Sequence, residues 1–154
     1  MVTYYGKSWL EACRKNLNES AEHLKKAAKL NGKFMFRVWD GPDGKDRVAV
    51  WDFASGKCTS VTFEAKPAPW KELRESPYDD SFVTRFSCPF NMMARLNRGE
   101  MSPLKALASP EYKVEGKKTQ LFKMMPGLNS WNEHNAKVAC DYAFSKTDDD
   151  GTAV

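Results

Sequence analysis

Long apolar runs are missing from this sequence of 154 residues, and none approaches the roughly 20 residues that a membrane-spanning helix requires. The first six residues also lack the basic start and the apolar stretch of a secretory signal. The four cysteines lie far apart, without the short spacings of a zinc site or of a redox pair. We therefore expect a cytoplasmic protein with reduced thiols.

Motifs for catalysis and for cofactor binding are missing as well. The sequence has no nucleophile elbow, no Walker loop, no dinucleotide-binding glycine pattern and no histidine pair spaced for zinc. Of its two histidines, His23 falls near the polar face of a predicted helix, which indicates a solvated side chain. His134 is expected to be a surface or hydrogen-bonded side chain, and contact with a ligand is the alternative. The sequence thus predicts no enzyme, no metal and no cofactor.

The charge balance excludes fewer classes of function than the missing motifs do. The chain carries 24 basic and 20 acidic residues, for a formal net charge of +4. The two signs are mixed along the chain, which indicates a solvated surface and no nucleic-acid site. The small basic excess leaves transient contact with anionic membrane surfaces open. With 42% hydrophobic residues, we expect one domain over residues 1–145, followed by a disordered polar tail over residues 146–154.

The first half of the chain predicts a long helix and then three strands. Ser8 and Glu11 have the spacing of a capping box, apolar residues recur at helical spacing, and Asn31-Gly32 is a stop signal, so we expect one helix over Trp9–Leu30. Apolar and polar residues then alternate with a period of two in three segments separated by turns. These segments are Phe34–Trp39, Val48–Phe53 and Thr59–Ala65.

Aromatic residues in these strands fall on both sides of the predicted sheet. The alternation predicts that Trp39, Trp51 and Phe53 point away from the face that carries Phe34 and Phe36. Three large aromatic side chains are too many for a fully solvated face. We expect the N-terminal helix, or else a partner, to cover part of it.

The second half of the chain is organised around residues 91–125, which follow a fourth predicted strand over Ser81–Ser87. Ser102-Pro103 is an N-cap followed by proline at the first helical position, and Thr119 is a second candidate cap. The predicted elements are short helices at Met92–Gly99, Ser102–Ser109 and Thr119–Met125, with a strand at Tyr112–Gly116 between the last two. Pro126-Gly127 then predicts a break, and a capping box at Ser130 predicts a last helix that runs to about Phe144.

Together the elements predict an α/β (α+β) fold with a five-stranded, mainly antiparallel sheet covered by helices. The order over residues 82–125 resembles the sterol carrier protein two-like domain family. In that family a short apolar helix ends at glycine, and a proline-containing helix, an alternating strand that ends in glycine and an amphipathic helix follow. The resemblance implies non-enzymatic lipid binding in an apolar tunnel between the sheet and the helices.

The resemblance also gives candidate ligand-binding residues on the inward faces of the elements. Methionine is abundant there, and its flexible side chain suits a pocket of variable shape; an ordinary packed core is the alternative. The helix Thr119–Met125 is the candidate cover, with Pro126-Gly127 as its hinge. The candidate ligand-binding residues are Phe63, Phe82, Phe86, Met92, Met93, Leu96, Leu104, Leu107, Tyr112, Val114, Leu121, Phe122, Met124 and Met125.

The predicted function is the binding, and in a further step the transfer, of a lipid such as a fatty acid, an acyl-CoA or a sterol-like molecule. The alternative is a protein-interaction or homodimerisation module that uses the same apolar helix faces. Burial or exposure of one face of the last helix distinguishes the two functions. This face carries Trp131, Val138 and Tyr142. If it closes the cavity of its own chain, a monomeric binder follows, whereas an exposed face indicates association.

Overall fold

The computed structural model describes residues 1–144 and is built around one mixed sheet. The strands in chain order are β1 (Val2–Thr3), β2 (Gly32–Trp39), β3 (Lys45–Ala54), β4 (Lys57–Pro67), β5 (Thr84–Pro89), β6 (Lys113–Gly116) and β7 (Cys140–Asp141). The helices are α1 (Lys7–Glu19), α2 (Ala21–Lys26), α3 (Lys71–Arg74), α4 (Phe90–Asn97), α5 (Pro103–Ala108), α6 (Lys118–Lys123) and α7 (Met125–Ala136). The predicted tail, residues 146–154, lies outside the described residues.

The sheet has five strands in the order β4-β3-β2-β5-β6. Three of its four neighbouring pairs are antiparallel, and β2 and β5 form the one parallel pair, with Phe34 opposite Thr84 and Phe36 opposite Phe86. The predicted fold class, a mainly antiparallel five-stranded sheet with helices, is therefore confirmed. A separate pair of short parallel strands, β1 and β7, joins the first residues to the segment after α7.

The core lies on one face of this sheet, and the register between β2 and β3 decides which aromatic residues belong to it. Trp51 lies directly opposite Phe34, and residues opposite each other in an antiparallel pair share a face. Trp51 and Phe53 are therefore buried in the core, and their predicted place beside Trp39 is wrong. Trp39 is on the other face, where the guanidinium of Arg37 lies 5.0 Å from its ring.

The N-terminal helix is broken at Ser20, so the prediction of one helix over Trp9–Leu30 is wrong. Ser20 has extended backbone angles, φ −94° and ψ 108°, and its side chain accepts a hydrogen bond from the backbone N–H of His23. Ser20 is thus the N-cap of α2. The break redirects the chain, and His23 becomes fully buried instead of solvated. The predicted cap at Ser8 is also wrong, because α1 begins at Lys7 after Gly6.

The predicted break and hinge at Pro126-Gly127 are wrong, because both residues lie in the first turn of α7. Proline is accepted there, since its missing N–H would have no helical partner. Gly127 is buried against α2, and an added Cβ would lie 3.0 Å from the Cα of Ala27. Glycine thus permits a close helix contact without displacing Ala27, and the chain instead bends at Met124, between α6 and α7.

Two predicted caps in this half of the chain are also wrong, and one is confirmed. Thr119 lies inside α6, and Ser130 lies inside α7, which ends at Ala136 and not near Phe144. Ser102 is the N-cap of α5, where its side chain accepts a hydrogen bond from the backbone N–H of Lys105 and proline follows at the first position. Of these three capping signals, only the Ser102-Pro103 pair marks a helix start.

Candidate functional site

An apolar pocket of about 210 Å³ lies between the sheet and the helices. Its sheet wall consists of Phe36, Trp51, Phe86 and Val114, from β2, β3, β5 and β6. These strands bring aromatic and β-branched side chains to one face because their side chains alternate. The other lining residues are Tyr4, Tyr5, Trp9, Met93, Leu96, Asn97, Pro103, Leu107, Tyr112, Leu121, Met125, Leu128, Asn129, Trp131, Asn132 and Asn135.

Two neighbouring tyrosines before α1 form one end of the wall. The hydroxyl of Tyr4 donates a hydrogen bond to the backbone oxygen of Met93 at 3.2 Å, and the Tyr4 ring packs edge-on against Trp9. Burial raises the pKa of Tyr4 and of Tyr5 well above the ordinary tyrosine value, and it raises the pKa of Tyr112 as well. All three phenols therefore stay uncharged at any physiological pH.

No residue that lines the pocket carries a formally charged side chain at neutral pH. Its polar side chains, besides the tyrosines and tryptophans, are the amides of Asn97, Asn129, Asn132 and Asn135. The amide nitrogen of Asn97 donates a hydrogen bond to the hydroxyl of Tyr142 at 2.7 Å. The wall therefore offers apolar surface and neutral hydrogen-bonding groups, without a counter-ion for a buried charge.

Some of these neutral groups have no protein partner within the described part of the chain. The indole nitrogens of Trp9 and Trp131 and the amide oxygen of Asn135 are buried without a hydrogen bond. Trp131 and Asn135 are four residues apart, so they lie on the same face of α7. A donor and an acceptor thus lie about one helical turn apart in a wall of the pocket.

The mouth of the pocket is the part of the lining that is exposed to solvent. It consists of Pro103 and Leu107 from α5 together with Met125, Asn129 and Asn132 from α7. The two short helices beside it are weakly anchored, since α5 buries only Ala106 and α6 buries none of its residues. The mouth is therefore bordered by the least buried helices around the pocket.

Eight of the candidate ligand-binding residues lie in this lining. They come from β5, α4, α5, β6, α6 and α7 and from the residue just before β6, so separate parts of the predicted set meet around one space. Their contact with a ligand stays a prediction. The eight are Phe86, Met93, Leu96, Leu107, Tyr112, Val114, Leu121 and Met125.

The other six candidates lie outside the lining. Two of them belong to the buried core, two are exposed on short helices, and two are partly buried elsewhere on the sheet side. The rotation of a short helix about its axis decides which of its faces points inward. Contacts with neighbouring elements set this rotation, and the sequence of the helix does not encode them. The six are Met92 and Met124 in the core, Leu104 and Phe122 on the surface, Phe63 in β4 and Phe82 just before β5.

Several lining residues were not predicted from the sequence, above all Tyr4, Tyr5 and Asn135. A signal for the tyrosines was present, because two adjacent aromatic residues before a helix need a core to pack against. Phe36 and Trp51 were assigned to strands but not to the site. For Asn135 the sequence holds no signal, since a single helical asparagine is usually solvated.

Both histidines are buried, so the expectation of a solvated His23 is wrong. They form a cluster outside the pocket lining that joins α2 to α7. Nδ1 of His23 lies 2.9 Å from the hydroxyl of Ser130, Nε2 of His134 lies 3.0 Å from the hydroxyl of Ser20, and the two rings are 5.3 Å apart. Each of these two nitrogens has a hydroxyl partner, so this cluster fastens one wall of the pocket to the N-terminal helices.

No group of three or more His, Cys, Asp or Glu side chains within residues 1–144 is arranged to hold a metal ion. The four cysteines, all within that range, are unpaired, and burial raises the pKa of Cys58 and of Cys88 to about 12. These thiols therefore stay protonated and unreactive. None of the helices within residues 1–144 is both long and apolar enough to cross a bilayer.

Comparisons with known proteins relate the chain to others through structure and not through sequence. No protein-family model matches the sequence, and no curated protein is significantly similar to it. A crystal structure of sterol carrier protein 2 has a TM-score of 0.70 with 18% identity, over 88% of this chain and 99% of that chain.

Two solution structures are also similar. A conserved hypothetical protein from Thermus thermophilus, suggested to be a sterol carrier protein, has a TM-score of 0.70 and 18% identity, over 92% of this chain and 93% of that chain. A sterol carrier protein domain of Helicoverpa armigera has a TM-score of 0.50 and 16% identity, over 87% and 91%. The chain therefore has the sterol carrier protein 2 fold, and the predicted resemblance is confirmed at the level of the fold.

Proposed function

We propose that this protein binds an apolar small molecule of the lipid class in the pocket and carries it without catalysing a reaction. The observation that carries the proposal is the pocket itself, an uncharged space of about 210 Å³ between the sheet and the helices. The fold supports it, since sterol carrier protein 2 is a carrier by name. In this proposal the partner is an apolar ligand and neither a nucleic acid nor a cofactor.

In this proposal the pocket encloses only an uncharged part of the ligand. A buried carboxylate or phosphate would need a counter-ion or several donors, and the lining supplies no charged side chain. If the ligand is a fatty acid or an acyl-CoA, its charged group lies outside the mouth. A neutral sterol-like or alcohol ligand has no such restriction.

The size of the pocket limits how much of a ligand is enclosed. A cavity of about 150 Å³ holds a benzene molecule, so about 210 Å³ holds roughly eight carbons by the same scaling. A longer chain protrudes through the mouth or separates the helices. We propose that α6 is the movable cover, and that it moves at Met124, where the chain bends, because α6 buries none of its residues.

A series of linear alcohols tests this proposal. Each added methylene contributes about 0.8 kcal/mol when it is buried, so affinity is expected to rise about fourfold per carbon and then level off near eight to ten carbons. The measurement is displacement of a fluorescent apolar probe such as 1-anilinonaphthalene. Native mass spectrometry of the purified protein, followed by solvent extraction and identification of the lipid, accompanies it.

A pair of matched variants ties the binding to the pocket. Val114→Phe adds bulk to the pocket wall and is expected to lower alcohol affinity at least tenfold. Val61→Phe makes the same change at a half-buried strand position outside the lining and is expected to leave affinity unchanged. If neither the alcohols nor a long-chain fatty acid binds the wild-type protein, or if both variants behave alike, the pocket is not a ligand site.

The competing function, a dimerisation module, depends on an exposed last helix. Trp131 is only 4% exposed, and its ring packs edge-on against Phe34, Phe36, Trp51 and Phe53 of the same chain. The Trp131 ring is therefore buried within its own chain, which supports a monomeric binder. We therefore favour the carrier function over the interaction module.

A further inference from the structure

Exposed large apolar side chains are concentrated beside the mouth of the pocket. Of the five within the described residues, only Met1 lies elsewhere in the chain. Leu104 is 79% exposed, Leu107 58%, Phe122 74% and Met125 43%. Leu107 and Met125 belong to the mouth itself. Apolar surface collected in this way usually marks an interaction site.

The two segments that carry these four side chains are basic, and the exposed acidic residues Glu100, Glu111 and Glu133 lie just outside them. The segments 101–110 and 116–132 together carry four lysines and no aspartate or glutamate. Lys105, Lys117, Lys118 and Lys123 are all exposed, and none of them makes a salt bridge with a described carboxylate. The formal charge of these segments therefore equals that of the whole chain, +4.

Three of these lysines also share one shallow polar cleft. Lys117, Lys118 and Lys123 line it together with Thr119 and Gln120. The ammonium of Lys117 donates a hydrogen bond to the backbone oxygen of Asp80, which ties the start of α6 to the loop before β5. The nearest acidic neighbour in sequence, Glu115, is occupied by its ion pair with Arg85. These three lysines therefore form a local cluster of positive charge at the start and along the exposed side of α6.

We propose that these eight residues form a docking surface for an anionic lipid bilayer, and that docking turns the mouth of the pocket towards the membrane. The docking surface consists of Leu104, Leu107, Phe122 and Met125 with Lys105, Lys117, Lys118 and Lys123. Apolar side chains that enter the acyl boundary, ringed by lysines at the level of the head groups, are what an interfacial site requires. The use of docking for lipid exchange rests on the proposed function.

The charge separates this occupant from the other candidates. A second copy of the chain would place four lysines against four lysines, and like charges facing each other oppose association. A nucleic acid would pair with the lysines but would leave four large apolar side chains unburied. Only a surface with both anionic head groups and apolar chains engages the two halves of the docking surface.

Vesicle co-sedimentation of the full chain tests the proposal. We expect binding to phosphatidylcholine vesicles that contain phosphatidylserine, much weaker binding to pure phosphatidylcholine vesicles, and loss of binding at high salt. The double variant Lys117→Glu/Lys118→Glu is expected to weaken binding at least tenfold. Phe122→Ser, at an exposed position, is expected to weaken it several-fold without a change of charge.

The matched control is Lys25→Glu/Lys29→Glu, which makes the same charge change at exposed positions of the N-terminal half. It is expected to keep at least half of the vesicle binding. Equal losses in both double variants, or no binding to anionic vesicles, would overturn the proposal. A dimer that Phe122→Ser dissociates would assign the surface to a second copy, and RNA binding that only Lys117→Glu/Lys118→Glu abolishes would assign it to nucleic acid.

Probe displacement without vesicles separates this proposal from the proposed function. Lys105 and Lys117 lie outside both the pocket lining and the proposed cover α6. The variant Lys105→Glu/Lys117→Glu is therefore expected to lose vesicle binding and to bind alcohols like the wild-type protein. Docking without ligand binding would remove the carrier function and leave the surface. Ligand binding without docking would remove the docking surface and leave the carrier function.

Discussion

Asn135 is an unusual residue to find in the wall of an apolar pocket. Its amide oxygen is buried without a partner, and one turn earlier on α7 the indole nitrogen of Trp131 is in the same condition. A buried polar group without a hydrogen bond costs about 1–3 kcal/mol. A ligand hydroxyl that donates a hydrogen bond to the amide oxygen of Asn135 would recover part of that cost.

We therefore expect Asn135→Leu to weaken the binding of octanol about tenfold and that of octane less than twofold. The leucine side chain has a similar size but removes the acceptor. Asn132→Leu, on the same helix but exposed at the mouth, is the control and is expected to change neither affinity by more than twofold. Displacement titrations with the two ligands measure the difference, and parallel losses for octanol and octane would contradict the role of the amide.

For single residues, the sequence predicts that apolar side chains line the pocket better than it predicts which apolar side chains do so. Leu96, Leu107 and Leu121 lie in the pocket lining as the apolar pattern suggests, yet Leu104 and Phe122 satisfy the same pattern and are exposed. In helices of six residues, one apolar side chain can face either way, because few contacts fix the helix orientation. The neutral polar atoms of the wall depend on packing across α7 and the sheet, which no local pattern encodes.

Among the elements, α2 and α7 are coupled most specifically. The break at Ser20 lets that residue cap α2 and approach His134, while His23 reaches Ser130 of α7. The close contact at Gly127 brings the two helices together. Since α7 supplies six lining residues and part of the mouth, the cluster holds one whole wall of the pocket in place.

The burial of His23 gives the protein a pH dependence. Burial disfavours the imidazolium and lowers the pKa of His23 below the ordinary value of 6.5, and the neighbouring His134 ring lowers it further. A histidine with a lower pKa in the folded state contributes stability that is complete above its ordinary value and is lost as the pH falls below it. The free energy of unfolding should therefore decrease as the pH is lowered from 6.5.

The variant His23→Asn isolates this contribution. Asparagine can keep the hydrogen bond to Ser130 but does not titrate, so the decrease of unfolding free energy below the ordinary histidine pKa should become shallower than in the wild-type protein. Urea unfolding at several pH values measures both slopes, and carboxylates contribute equally to each. Identical slopes would show that His23 does not titrate in the folded protein over that interval.

The sequence predicted the elements that place one face on the core. It did not predict the helix boundaries that depend on close packing between two elements. The alternation in β2, β3 and β4 predicted these strands within a few residues. The helix break at Ser20 and the uninterrupted start of α7 at Met125 were not predicted. Both are set by contacts between segments about a hundred residues apart, such as Gly127 against Ala27.

The whole molecule combines a closed core with one open, basic side. α3 packs against part of the other face of the sheet, where the guanidinium of Arg37 donates a hydrogen bond to the backbone oxygen of Leu73 at 2.8 Å. Burial, with the charge of Arg85 nearby, lowers the pKa of Arg37 to about 10, which keeps it charged at neutral pH. The large exposed apolar side chains of the described residues, apart from Met1, lie on the pocket side.

This distribution predicts a monomer in solution. The helix face with Trp131 is buried within its own chain, and the docking surface repels a copy of itself through four lysines. Sedimentation velocity over a wide concentration range should therefore give a single species near the chain mass of 17.5 kDa. A dimer that persists on dilution, at both low and high salt, would return the interaction module to first place.

The parallel pairing of β1 with β7 makes the protein a candidate for circular permutation. Val2 lies opposite Cys140, and the backbone N–H of Tyr4 donates to the oxygen of Asp141 at 2.9 Å. The two ends of the described fold therefore meet at one point, far in sequence from the exposed loop at Asp79 and Asp80. A circular permutant that joins the ends through a short linker and opens the chain in this loop should keep every strand pair of the sheet, and its new termini lie beside the start of α6, where Lys117 donates a hydrogen bond to the backbone oxygen of Asp80.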